Sequence, residues 1–180
     1  MKNTTTNLLD HDAVKGKLRK LARLDFTDVK MKLMMEVPEG KEWSQSQADE
    51  AEKWYRRFLH LIIKYPEHAP VPNGPVDIFW HQHILDTQAY IRDCEEVFEG
   101  YLHHYPYFGL KDDATELMMS FEVTKQLCKM EFGEDYTSMM RDNTDDSELG
   151  ISKSWSCAPV AACHNIIPSN TGRENLKLIQ

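Results

Sequence analysis

The sequence lacks several features that would assign it to a specialised class of protein. Its 180 residues contain no run of 18 apolar residues, so we expect no membrane-spanning helix. The first twelve residues include no apolar stretch of signal-peptide length, which predicts a cytoplasmic protein. Only eight glycines and eight prolines occur, and this excludes collagen-like and low-complexity chains.

Cysteine is also scarce, and basic residues are fewer than acidic ones. Four cysteines in a chain expected to be cytoplasmic predict free thiols and not a disulfide framework. The 21 basic residues are outnumbered by 29 acidic ones, which gives a formal net charge of −8. Because nucleic-acid binding usually needs a basic surface, we expect no nucleic-acid partner.

Helical periodicity dominates what is present. Apolar residues recur at helical spacing over residues 8–24, and residues 24–37 fit a second helix less clearly. Ser44 and Gln47 form a capping-box pattern at the start of the strongest amphipathic segment, which ends at Pro66. The stretch 66–75 has four prolines and a glycine, which predicts a loop.

Two more helices are predicted after this loop. Asp77 is a suitable N-cap for one continuous helix over 78–99, and Gly100 would end it. An aromatic connection over 101–111 then leads to a helix over 114–132. A single buried face of the first of these helices is expected to contain Trp80, Ile84, Thr87, Ile91, Cys94 and Phe98.

Four to five helices without an alternating strand pattern predict an all-α fold. We expect an irregular helical bundle over residues 1–134. Residues 135–180 are first acidic and then contain Ser, Asn and Pro, which predicts a partly disordered tail.

Four of the eight histidines lie within 24 residues, and imidazole is the commonest metal ligand at neutral pH. These candidate metal ligands are His81, His83, His103 and His104. Side chains between and beside them could orient the imidazoles from a second layer, as carboxylates often do. These supporting candidates are Asp77, Asp86, Tyr90 and Asp93.

The spacing leaves two arrangements of the histidines open. On a regular helix, His81 and His83 differ by about 200° and cannot easily bind one ion together. The preferred arrangement pairs His83 with His103 or His104, while His81 hydrogen-bonds to Asp77 one turn away. In the alternative, residues 81–83 are extended and both of their histidines bind the ion.

The same stretch resembles the glycine-rich-domain-containing-protein-like family, a domain of unknown function. The matching motif is Trp-His-x-His followed by Tyr-x-x-Asp-Cys, and it is formed here by Trp80, His81, His83, Tyr90, Asp93 and Cys94. The run over 100–109 is similar to that of small bacterial single-domain members. The resemblance covers roughly residues 40–130 and implies a helical fold without assigning an activity.

Two functions from different classes follow from these residues. The first is a metal-binding protein, which could be a metalloenzyme acting on an unknown small molecule, with zinc preferred and iron or copper as alternatives. The second is a metal-free module that binds a protein partner through Tyr105, Tyr107 and Phe108. Metal-free acid–base catalysis ranks third. Cys157, Cys163 and His164 form a further candidate for a soft metal.

Overall fold

The computed structural model describes residues 3–136 and 163–168, with side chains described for residues 11–136. The predicted all-α fold is confirmed, and one short two-stranded pairing is added to it. Most of the predicted tail over 135–180 lies outside the described residues. The α-helices and strands within them are α1 (Asn3–Leu21), α2 (Thr27–Met34), α3 (Gln45–Lys64), α4 (Gly74–Leu85), α5 (Thr87–Phe98), β1 (Gly100–Tyr105), α6 (Ala114–Phe132) and β2 (Cys163–Pro168).

Helix α3 begins at the predicted capping box. The Gln47 amide donates to Ser44 Oγ at 3.2 Å, and the Ser44 amide donates to Gln47 Oε1 at 2.9 Å. These two bonds satisfy amides that have no partner inside the helix. The helix ends at Lys64, directly before Tyr65 and Pro66, as the proline predicts.

The core forms around α3, which packs against α1, α2, α4 and α6. Large aromatic side chains fill its centre and are buried almost completely: Trp54, Tyr55, Phe58, Phe79 and Trp80. Aromatic rings of this size account for much of the apolar area that such a core removes from water. None of the helices within residues 3–136 combines the length and apolar character needed to cross a lipid bilayer.

The prediction of one continuous helix over 78–99 is wrong. The chain leaves helical geometry at Asp86, with φ −80° and ψ 75°, and the Asp86 side chain accepts a hydrogen bond from the Ala89 amide at 3.2 Å. Asp86 therefore caps a new helix, α5, because its carboxylate satisfies one of the first free amides. The local apolar spacing continues across the break, which is why periodicity alone did not reveal it.

The break changes which residues of this segment are buried. Trp80, Cys94 and Phe98 are buried, as the helical face predicts. Thr87 is exposed and Ile91 is 52% exposed, because α5 starts in a new direction and rotates both side chains away from the core. The predicted buried face is therefore correct only in part.

Asn73, and not Asp77, is the N-cap of α4. Its side chain accepts a hydrogen bond from the Val76 amide at 3.1 Å, and Pro75 occupies the first turn. The Asn73 amide in turn donates to the Tyr136 hydroxyl at 3.0 Å, and Asn73 Nδ2 donates to the Tyr136 carbonyl at 3.2 Å. The cap leaves Asp77 one turn inside the helix with its carboxylate free for other contacts.

Residues 100–105 form strand β1 and not an irregular connection. β1 pairs antiparallel with β2, and Gly100 lies opposite Pro168 while Tyr105 lies opposite Cys163. Gly100 and Leu102 are buried, whereas His103 is exposed. The partner strand lies about 60 residues further along the chain, so local sequence patterns could not indicate this pairing.

Candidate functional site

Two of the predicted histidines and one of the supporting carboxylates converge at the junction of α4 and β1. Asp77 and His81 lie one turn apart on α4, and His104 reaches them from β1. One candidate ligand atom from each of the three residues lies within 4.8 Å of the other two. We call Asp77, His81 and His104 the Asp77 triad; its three side chains can hold a metal ion.

Within the Asp77 triad, each imidazole faces a different oxygen of the carboxylate. His104 Nε2 lies 3.0 Å from Asp77 Oδ1, and His81 Nδ1 lies 3.4 Å from Asp77 Oδ2. The two rings are tilted by 45°, with centroids 4.5 Å apart. Asp77 and His104 are almost buried, whereas 49% of the His81 side chain is exposed. The site is therefore closed on the protein side and open to solvent beside His81.

These separations suit metal coordination. Zinc binds imidazole nitrogen and carboxylate oxygen at about 2.0–2.2 Å, which places two tetrahedral ligands about 3.4 Å apart. The two nitrogen–oxygen separations of the Asp77 triad are already 3.0 and 3.4 Å. These contacts use different oxygens of Asp77, and one ligand atom from each residue lies within 4.8 Å of the other two, so side-chain rotations can bring the three residues onto one ion.

Electrostatics keep His81 in a form that can act as a ligand. Partial burial lowers its pKa, and Asp77 opposes this shift while His104 and Lys41 add to it. The ring is consequently neutral at pH 7, and a neutral imidazole has a lone pair available for a metal ion.

A buried hydrogen-bond chain holds β1 in place against the two helices. The Trp80 indole N–H donates to the Tyr90 hydroxyl at 3.0 Å, and that hydroxyl donates to the Leu102 carbonyl at 2.5 Å. The Trp80 ring also contacts the His104 ring, with centroids 4.5 Å apart. Trp80 thus forms one wall of the site and fixes the strand that positions His104.

His83 lies in a separate place and contacts neither His103 nor His104. The Tyr55 hydroxyl lies 3.0 Å from His83 Nδ1, and Asp93 Oδ2 lies 3.2 Å from His83 Nε2. All partners are satisfied when His83 is neutral with its proton on Nε2, so that Nε2–H donates to Asp93 and Tyr55 donates to Nδ1. We call Tyr55, His83 and Asp93 the His83 network. Both ring nitrogens are occupied, which leaves none for a metal ion.

The His83 network borders a very small cavity. This cavity has a volume of about 10 Å³ and is also lined by Tyr90, Cys94 and Leu102. It offers room for one water molecule at most. Burial raises the pKa of the Cys94 thiol, so the sulfur stays protonated and is a poor nucleophile. This region is therefore a structural polar core and not a substrate pocket.

The remaining predicted residues lie outside both groups. His103 is exposed on the opposite face of β1 from His104, and its ring packs on Tyr101 at 4.6 Å between centroids. Asp86 is exposed and caps α5. Tyr105, the last residue of β1, and Tyr107, in the loop that follows, are exposed, whereas Phe108 is half-buried against the core.

Sequence reasoning did not identify Tyr55 as the partner of His83. Tyr55 lies 28 positions earlier, in the middle of the buried face of α3. Its position there predicts an ordinary core aromatic, and nothing local indicates that its hydroxyl has a buried acceptor. A buried tyrosine hydroxyl usually finds a hydrogen-bond partner, and this was the one available signal.

The free energy of unfolding is expected to fall as the pH is lowered below 6.5. Burial is the main cause that lowers the pKa values of His60, His81 and His83 from the ordinary value of 6.5. Below that pH the unfolded chain binds more protons than the folded one, so protonation favours unfolding. Urea unfolding at pH 7.5, 6.5 and 5.5 measures the slope, and His83→Gln should make it shallower. Stability that rises over the same interval would contradict this assignment.

Comparisons with known proteins add one match. A family model described as UCP032817-like matches residues 18–131, a range that contains the Asp77 triad and the His83 network. No curated protein and no solved structure matches the chain. The resemblance to the glycine-rich-domain-containing-protein-like family is not tested by this match and stays a prediction.

Proposed function

The chain belongs to the UCP032817-like family, and we propose that its function depends on a divalent metal ion bound by the Asp77 triad. The observation that carries this proposal is the convergence of two imidazoles and one carboxylate from two separate elements, α4 and β1. Residues 27 positions apart in the sequence meet within hydrogen-bond distance at a solvent-accessible edge. A purely structural tether would need only the Asp77–His104 contact and gives no reason for His81.

The ligand set favours a transition metal over calcium or magnesium. Two imidazole nitrogens and one carboxylate oxygen suit zinc first, with iron and copper as alternatives, whereas calcium and magnesium prefer oxygen ligands alone. A bound ion of this kind could act as a Lewis acid and lower the pKa of a coordinated water molecule. Three protein ligands leave room for such a water on the exposed His81 side.

The residues of the Asp77 triad and Trp80 have distinct roles at the proposed metal site. Asp77 holds both imidazoles through its two oxygens, and the Trp80 ring packs on the His104 ring. The half-exposed His81 gives a small-molecule substrate access to the ion. We infer that the protein is a metalloprotein with an accessible ion, and a metalloenzyme if a substrate reaches it.

Zinc binding by the purified, chelator-treated and untagged chain tests the proposal. We expect one equivalent of zinc to bind, and zinc at 100 times the dissociation constant should add about 2.7 kcal/mol to the free energy of unfolding. His104→Ala should weaken binding at least about 100-fold, because even outer-shell changes cost 10- to 100-fold. Titration calorimetry with zinc, and then with iron(II), measures the stoichiometry and the affinity, and urea unfolding with and without zinc measures the change in the free energy of unfolding.

The matched control for this titration is His103→Ala. His103 is the neighbouring histidine on the same strand, but it lies on the opposite face and packs on Tyr101. The variant should bind zinc like the original chain. A wild-type chain that binds neither zinc nor iron(II), with no change in melting temperature, would refute the proposed function.

A second candidate function is protein binding through the end of β1 and the loop that follows it. Tyr107 is 54% exposed, Leu110 is 72% exposed, and the Tyr105 and Tyr107 rings pack edge to face at 5.6 Å between centroids. Aromatic residues of this kind are enriched at protein interfaces. Protein binding through these aromatic residues would persist in the His104→Ala variant, whereas a function that depends on the metal ion would be lost.

A further inference from the structure

The register between β1 and β2 places a third histidine beside the Asp77 triad. His104 lies directly opposite His164, and Leu102 lies directly opposite Ile166. In an antiparallel pair, directly opposed residues share one face of the sheet, and successive residues alternate between faces. His164 is therefore placed on the face of the β1–β2 pair to which His104 belongs.

We propose that His164 is a further ligand of the ion bound by the Asp77 triad, so that metal binding joins the C-terminal strand to the helical domain. This inference rests on the proposed function. Its basis is a juxtaposition of three elements: α4 supplies Asp77 and His81, β1 supplies His104, and the register position opposite His104 is again a histidine.

The spacing of an antiparallel pair suits two ligands of one ion. Directly opposed residues have Cβ atoms about 4.5–5.5 Å apart. Two imidazole nitrogens bound to one zinc ion at about 2.0–2.1 Å lie roughly 3.4 Å apart. Two histidines at opposed positions can therefore converge on one ion without any shift of the strand register. Zinc prefers four ligands, and the Asp77 triad provides three.

The same register separates His164 from its neighbour Cys163. Cys163 lies opposite Tyr105, one position along the ladder, and so belongs to the other face of the β1–β2 pair. The sequence predicted that Cys157, Cys163 and His164 together form a candidate for a soft metal; Cys157 lies outside the described residues. The register instead favours a role for His164 beside the Asp77 triad, apart from Cys163.

A ligand from β2 would make the position of the C-terminal strand dependent on the metal. Without the ion, a two-stranded pair is marginally stable on its own. With the ion bound, the free energy of coordination would add to that of the strand pairing. The amides of residues 163–167 should consequently exchange with solvent more slowly when zinc is present.

The experiment compares His164→Ala with Asn165→Ala in the full chain. Asn165 lies opposite His103, on the other face, and serves as the matched control. Zinc affinity is measured by titration calorimetry, and amide hydrogen exchange of residues 163–167 is measured with and without zinc. We expect His164→Ala to weaken zinc binding about 10- to 100-fold and to abolish the zinc-dependent protection. Asn165→Ala should retain both.

The outcomes separate this inference from the proposed function. If His104→Ala loses zinc binding while His164→Ala binds zinc like the original chain, the Asp77 triad acts alone and the inference is overturned. If the original chain binds no metal, both proposals fail together. Loss of affinity in His164→Ala with circular dichroism unchanged supports the inference, because the helical domain is then intact.

Discussion

Asp93→Ala is expected to lower the free energy of unfolding by about 3 kcal/mol. Asp93 is 3% exposed and accepts hydrogen bonds from His83 Nε2 at 3.2 Å and from Arg92 Nε at 2.9 Å. Alanine would leave the His83 Nε2–H group buried without an acceptor, which costs far more than the loss of an exposed bond. Arg92 contributes little to the loss, because 66% of its side chain is already exposed and water can hydrate its charge when Asp93 is absent.

Urea unfolding at pH 7.5 measures the effect of Asp93→Ala. Asp86→Ala is the matched control, since Asp86 is an exposed aspartate on the same segment that only caps α5 and should cost about 1 kcal/mol. Asp93→Asn keeps an acceptor oxygen for His83 and should fall between the two. A loss at Asp93→Ala no greater than that at Asp86→Ala would show that the His83 network contributes little to stability.

Trp80→Ala should destabilise the fold by about 3–5 kcal/mol. The Trp80 side chain is fully buried, packs against Phe58 at 5.3 Å between centroids, and donates its indole N–H to Tyr90. Alanine would leave a large cavity between α3, α4 and β1, and the Tyr90 hydroxyl would lose its donor. Because the Trp80 ring also contacts the His104 ring, zinc affinity should fall as well.

Two further variants separate the contributions to the Trp80→Ala effect. Trp80→Phe keeps most of the packing but removes the N–H group, so we expect a loss of about 1–2 kcal/mol. Ile91→Ala changes an apolar residue that is 52% exposed on α5 and should stay within about 0.5 kcal/mol. Chemical unfolding of the three variants measures the ranking, and an Ile91→Ala loss as large as that of Trp80→Ala would contradict the exposed position of Ile91.

Local signals predicted most helices of this fold because their causes are local. The Ser44–Gln47 capping box and Pro66 each act within a few residues, and they mark the two ends of α3 correctly. The break at Asp86 is different, because an aspartate inside an apolar period can lie on a helix surface or cap a new helix. Whether Asp86 lies on a helix surface or caps a new helix depends on how α4 and α5 pack, and local sequence patterns do not indicate that packing.

The candidate site was predictable in composition but not in pairing. The sequence indicated that histidines and aspartates of residues 77–104 would act together, and Asp77 was already paired with His81 by helical spacing. The division into the Asp77 triad and the His83 network depends on which face of β1 carries His104 and on Tyr55 of α3. Both are long-range contacts, since they join residues 27 and 28 positions apart, and periodicity describes only neighbours within one element.

The contact between Asn73 and Tyr136 defines the shortest fragment that can preserve the start of α4. Tyr136 is 1% exposed, packs against Trp54, and binds the backbone and side chain of the capping asparagine. A truncated version of the chain that stops at Glu134 would remove this anchor and release the loop before α4, although every helix would still be encoded. Expression designs for the isolated helical unit therefore need to extend past the last helix to include this tyrosine.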